Sequence, residues 1–302
     1  MEEILRTFSL TKRYGRQTAV KDVSLSIGQG EIFGLIGRNG AGKTTLLRLI
    51  CNLARPTAGD FSPFGERPPC QSLSRVGALI EAPGVFPALS AQENLMLKYT
   101  ALGGRDKRWP QKLLDTVGLS DAGSKKIGKF SMGMKQRLGI ALALVGRPDL
   151  VILDEPINGL DPQGIAEIRD IIEELNRTYG VSFLISSHIL EELSKIATSY
   201  GFLHQGHLLQ QVTREESAAK CRERIELTAQ PTERACTVLE EMGISDYRVT
   251  QDGVIQIFER LGDSGDIALT LMQQQVRVLS LCEKNENLED YYLKLTGGQE
   301  HV

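Results

Sequence analysis

The sequence predicts an α/β protein in which a mostly parallel sheet follows a few antiparallel strands, carries a helical subdomain, and precedes a small α+β domain. Three observations support this. Apolar, branched runs of strand length (32–36, 149–153 and 181–186) alternate with helical patterns, the signature of a parallel sheet with crossover helices. A glycine-rich segment, 37–42, joins the first of these runs to a helix. Near Thr213 the composition shifts, and the remainder reads strand, helix, strand, strand, helix, strand, helix, the order of a ferredoxin-like domain.

Residues 4–36 predict several strands with turns at Tyr14-Gly15 and Gly28-Gln29-Gly30, and a helix then runs to about Leu53. A strand is expected over 75–81. Ser90-Ala91-Gln92-Glu93 has the form of a capping box, Ser accepting from the third helical amide while Glu reaches back. The pattern stays helical to about Val145, which defines the subdomain as about 85–145. A helix after Pro162 separates the strands at 149–153 and 181–186, and 200–212 predicts a hairpin turning at Gln205-Gly206. Domain limits of 1–214 and 215–302 follow. A short polar helix opens the second domain, and strands are expected at 224–229, 247–250, 254–259 and 276–282, with helices at 232–242, 265–275 and 288–295. No glycine-rich loop, histidine cluster or carboxylate pair stands out there, so a structural or regulatory role is expected.

A length of 302 residues accommodates two domains of about 100–200 residues each. The net charge of −3 argues against a nucleic-acid partner. The cysteines, Cys51, Cys70, Cys221, Cys236 and Cys282, are scattered and form no C-x-x-C pair, so they are expected to be reduced core residues of a cytosolic protein. Met1-Glu2-Glu3 does not open a signal peptide, and no apolar run approaches the roughly 18 residues of a membrane span.

The chemistry is concentrated in three places. Gly37-Arg38-Asn39-Gly40-Ala41-Gly42-Lys43-Thr44-Thr45 fits G-x-x-x-x-G-K-[ST]. Its glycines let successive N–H groups converge on a phosphate, Lys43 reaches the β/γ-phosphates, and Thr44 offers a hydroxyl to Mg²⁺. Leu150-Val151-Ile152-Leu153-Asp154-Glu155 is an apolar strand ending in two carboxylates, which alternation turns in different directions. Asp154 is then suited to Mg²⁺, and Glu155 to a water beyond the γ-phosphate as general base. Upstream, Phe130-Ser131-Met132-Gly133-Met134 opens a helix at which Ser131 is a good N-cap and Gly133 admits an anion.

In this order the elements resemble those of the ATP-binding cassette (ABC) transporter ATPases. The stretch from Phe130 matches their signature loop, usually Leu-Ser-Gly-Gly-Gln, and the likeness covers residues 1–212. It implies the P-loop NTPase fold of an ABC cassette, ATP and Mg²⁺ as cofactors, and ATP hydrolysis coupled to transport. It further implies that Tyr14 stacks on adenine, that Asn158-Gly159-Leu160-Asp161 places Asp161 where two cassettes meet, and that His188 contacts the γ-phosphate. Each also has a plainer reading: a tyrosine in a turn, and Asp161 and His188 as helix caps.

Two departures stand out. The family carries Gln after the strand that follows the phosphate loop; here the matching residue is Glu81, which either stands back from the metal or binds Mg²⁺ more directly. Met132 and Met134 replace a glycine and the glutamine of the signature. With Glu81-Ala82-Pro83 and Leu288-Glu289-Asp290-Tyr291-Tyr292-Leu293, these features resemble the bacitracin and lantibiotic self-protection exporters. That resemblance implies two cassettes, taken as a homodimer, with each ATP held between Lys43 of one and Ser131/Gly133 of the other. It also implies an integral membrane permease engaged through 81–94, a place on the cytoplasmic face of the plasma membrane, and export of an antibiotic, peptide or lipid-like substrate. The alternatives are an ABC ATPase acting on ribosomes or chromosomes, against which stand the single cassette and the lack of long coiled coils, and a P-loop kinase or GTPase, which explains neither Ser131, Asp161 nor His188.

Overall fold

A twelve-residue strand organises the first layer. In the computed structural model, which describes residues 2–66, 72–284 and 287–297, β1 (Glu3–Tyr14) pairs antiparallel with β2 (Gln17–Val23) and β3 (Ser26–Gly28). The chain then enters β4 (Ile32–Ile36), buried along its whole length, and leaves it through the glycine-rich loop into α1 (Lys43–Ile50). β5 (Ala58–Pro63) returns to the other edge of β1. The sequence gives no sign of this strand, because Ala-Gly-Asp-Phe-Ser-Pro is poor in strand formers and pairing with β1 imposes the conformation.

β6 (Val76–Leu79) leads to α2 (Ala91–Ala101), α3 (Trp109–Thr116) and α4 (Met132–Leu144). The capping box forms: Ser90 Oγ accepts from the Glu93 amide at 3.2 Å, and the Ser90 amide donates to Glu93 Oε2 at 2.7 Å. β7 (Leu150–Asp154), α5 (Pro162–Tyr179), β8 (Ser182–Ser187), α6 (Leu190–Ile196), β9 (Ser199–His204) and β10 (His207–Thr213) complete a sheet ordered β10-β9-β4-β8-β7-β6. It is parallel except for the β9/β10 hairpin, whose turn puts Gln205 and Gly206 at φ 47° and 81°. Phe33 and Leu35 of β4 face a core shared with α1 and the antiparallel strands, while Gly34 faces Leu193 of α6. Burying each large apolar side chain of β4 stabilises the unit by ~1.5–3 kcal/mol.

The chain separates into two compact units, one ending at Arg214 and one beginning at Glu215. α7 (Arg214–Lys220) crosses that boundary. In the second unit β11 (Arg224–Gln230), α8 (Thr232–Glu241), β12 (Tyr247–Val249), β13 (Ile255–Ile257), α9 (Ser264–Gln273), β14 (Arg277–Lys284) and α10 (Leu288–Leu295) follow. Their antiparallel sheet, ordered β12-β13-β11-β14, is the ferredoxin-like arrangement, closed over its own core of Ile225, Leu227, Val238, Ile257 and Leu271. Among the described residues Cys51, Cys221, Cys236 and Cys282 form no disulfide; none is fully buried, Cys51 packs against the core of the first unit, and Cys236 packs against that of the second. Cys70 lies outside the described residues. Among the described residues no helix is long and apolar enough to cross a membrane.

Candidate nucleotide site

The phosphate loop follows the carboxyl end of β4, where a parallel sheet presents its chemistry. Gly42 caps α1 at φ 106°, and a Cβ there would lie 2.4 Å from the Ala19 carbonyl oxygen, so only glycine fits. α1 has neither a side-chain cap nor an acidic residue in its first turn, which leaves its leading N–H groups to an anion. Lys43 is 6% exposed. Its Nζ donates to the Gly37 carbonyl at 2.5 Å and lies 3.0 Å from Glu155 Oε1.

Glu155, one residue beyond β7, adopts φ 50°, a left-handed turn that swings it off the strand. Its other oxygen, Oε2, meets His188 Nδ1 at 2.8 Å. A carboxylate only accepts, so Nδ1 carries the proton. Thus Lys43, Glu155 and His188 form one chain of charge and hydrogen bonding, and His188 does not cap α6, whose N-cap is Ile189. Asp154 is 4% exposed and accepts at Oδ1 from the Ser186 hydroxyl at 2.6 Å. Burial, with Asp154 nearby, pushes the Cys51 thiol up to about 12, so it stays neutral.

A cavity of about 570 Å³ opens over the loop. Tyr14, Arg38, Asn39, Gly40, Ala41, Gly42, Lys43, Thr44, Thr45 and Glu155 line it. Gln17, Thr18, Ala19, Gln205 and Gly206 complete its wall, and none of these five is legible as a site residue because sheet packing alone brings them there. The Tyr14 ring is half exposed, with Lys12 Nζ 5.0 Å from its centroid. A second hollow, of about 630 Å³, lies at the opposite, amino ends of β7 and β8, against Trp109 and Arg147, away from the phosphate loop.

Ser131, Gly133, Met134 and Asp161 do not line the nucleotide cavity. Ser131 caps α4, accepting from the Met134 amide at 3.3 Å, and Asp161 caps α5, accepting from Gly164 at 3.0 Å. The two segments meet each other: a Cβ on Gly159 would stand 2.9 Å from Met132 Cε. Glu81, at φ 64°, is paired with Arg48 Nη2 of α1 at 2.5 Å and is largely exposed.

The phosphate loop, the strand-end acid pair and the histidine on the second acid thus lie together, and comparison with known proteins identifies the family. The sequence matches the ABC transporter family over residues 20–158. It is 39% identical over 302 residues to the bacitracin transport ATP-binding protein BcrA of Bacillus licheniformis, covering 99% of each chain. The chain belongs to the ABC transporter ATP-binding proteins. This cassette is also 40% identical to the lantibiotic transport ATP-binding protein SrtF of Streptococcus pyogenes, over 68% of this chain and 89% of that one. A solved ATP-binding subunit of an ABC transporter superposes with a TM-score of 0.64 at 30% identity, covering 72% of this chain and 92% of that one. The protein is therefore an ATPase of the transporter class, and ATP is its nucleotide.

Proposed function

We propose that this cassette hydrolyses Mg²⁺-ATP between two copies of itself and energises export of an antibiotic, peptide or lipid-like substrate through a separate permease at the cytoplasmic face of the plasma membrane. The observation that carries the catalytic part is the Lys43–Glu155–His188 chain at the mouth of the phosphate loop. The transport part rests on full-length similarity to a bacitracin transport protein and on similarity to a lantibiotic one.

The residues suit a hard divalent cation. Asp154 supplies a buried carboxylate and Thr44 a hydroxyl. Among the described residues no group of three or more acidic, histidine or cysteine side chains forms a cage. That is the donor set of Mg²⁺, which is held by one or two protein oxygens together with substrate phosphates. When bound, the ion neutralises charge on the β- and γ-phosphates.

Triphosphate entering the loop draws Lys43 away from Glu155 onto the phosphate oxygens and frees the carboxylate for water. Glu155 then accepts a proton as the water oxygen bonds to the γ-phosphorus and the bond to the ADP oxygen breaks, while His188 holds the carboxylate in line. Tyr14 offers a stacking face for adenine. Ser131, Gly133, Met134 and Asp161, absent from the cavity wall of their own chain, are read as the surface that meets the nucleotide of the second cassette. The second unit, 215–302, is read as an accessory domain.

Detergent purification of the tagged protein from membranes of its host tests the transport reading. Co-purification of a polytopic membrane protein and loss of substrate tolerance in a Lys43→Ala strain are expected. Recovery with ribosomes and no membrane subunit would instead favour a non-transport ATPase.

A further inference from the structure

The side chain of Ser186, near the carboxyl end of the inner strand β8, is shut off from solvent, yet it is polar and fully engaged. In the β7/β8 register it stands directly beside Asp154. Its hydroxyl donates to Asp154 Oδ1 at 2.6 Å and accepts from the Glu155 amide at 3.0 Å, an amide that is also 3.2 Å from the Ser186 carbonyl. One hydroxyl therefore touches both residues of the acid pair. It takes one oxygen of the Asp154 carboxylate, and no described residue donates to Oδ2. It also pins the amide of the residue that turns to φ 50°. Ser187, the next residue, spends its hydroxyl locally, accepting from Ile189.

We propose that Ser186 is a positioning residue for the nucleotide-bound divalent cation. Its donated hydrogen bond locks the Asp154 carboxylate with Oδ2 presented to the metal, and its accepted bond fixes the turn that aims Glu155 into the cavity. This rests on the reading of Asp154 as the cation's protein carboxylate. A charged acceptor held by a buried hydroxyl is already ordered before the ligand arrives, so less ordering cost falls on binding.

The test measures equilibrium binding of a fluorescent ATP analogue, in EDTA and in Mg²⁺, to the full-length protein and to Asp154→Asn, Ser186→Ala, Ser186→Thr and Ser182→Ala. Ser182 is the matched control: equally buried at the other end of β8, its hydroxyl accepts from the Gly30 amide at 2.8 Å. The parent should bind more tightly in Mg²⁺. Ser186→Ala should lose about tenfold or more of that gain, as for a hydrogen bond to a charged group, while affinity in EDTA stays within about threefold. Ser186→Thr should restore the gain and Ser182→Ala should keep it. A full Mg²⁺ gain in Ser186→Ala, with the gain lost in Asp154→Asn, overturns the role of Ser186 alone. An undiminished gain in Asp154→Asn overturns the metal reading beneath it. Equal losses in Ser186→Ala and Ser182→Ala show a merely structural effect and also overturn the proposal.

Discussion

Replacing Glu155 with Gln removes one charge and preserves the shape, and the position of that charge gives two opposite effects. Lys43 Nζ and Glu155 Oε1 stand 3.0 Å apart, with side chains 6% and 20% exposed. At an effective dielectric of about 20 their attraction is about 5–6 kcal/mol, and desolvation offsets most of it. Nucleotide must break this pair to engage Lys43, so the variant starts from a state already open. If a quarter of the attraction survives as net cost, its removal is worth about 1.4 kcal/mol, a tenfold gain in ATP affinity. Turnover moves the other way: losing the general base lowers it by about 10²-fold or more. Equilibrium titration with a fluorescent ATP analogue reads the first effect and steady-state phosphate release the second. Unchanged or weaker affinity would refute the claim that the Lys43–Glu155 pair opposes binding, and near-normal turnover would remove Glu155 from the role of base.

Gly42→Ala should abolish nucleotide binding and lower the melting temperature, because the φ of 106° and the clash with the Ala19 carbonyl together cost ~1–3 kcal/mol or more; calorimetry and titration check it. Glu81→Gln should leave Mg²⁺-ATP affinity within about threefold, since the carboxylate is occupied by an exposed arginine pair of the kind worth under about 1 kcal/mol; a tenfold loss on titration would show that it reaches the metal. Burial raises the Cys51 pKa to about 12, so its stabilising effect is whole below the ordinary thiol value of about 8.5 and is lost as pH rises towards 12. In urea titrations the parent should lose stability relative to Cys51→Ala as the pH rises from about 8.5 towards 12.

Some of the site is contiguous, and contiguous chemistry is legible. Residues 37–45 declare a phosphate cradle because strand, glycines, lysine and helix lie within one loop, where local conformational demands select residue types directly. Asp154 and Glu155 were readable for the same reason, as acids at the end of an apolar run. The capping box at Ser90 and the hairpin at Gln205-Gly206 are likewise short-range.

Other features depend on strands distant in sequence, and there the residue pattern is silent. β5 exists because β1 offers an edge, the wall at Gln17, Thr18 and Ala19 because β2 runs beside the loop, and the pairing of Glu81 with Arg48 because two segments 33 residues apart converge. The left-handed turn at Glu155, which decides that one acid joins Lys43 and His188 while its neighbour meets Ser186, is set by the β7/β8 register. The sequence alone determined which chemical groups this protein owns, because residue type and local spacing encode them. Only the tertiary structure decided which of them touch, because those contacts are fixed by sheet pairing and burial, to which no single segment holds the key.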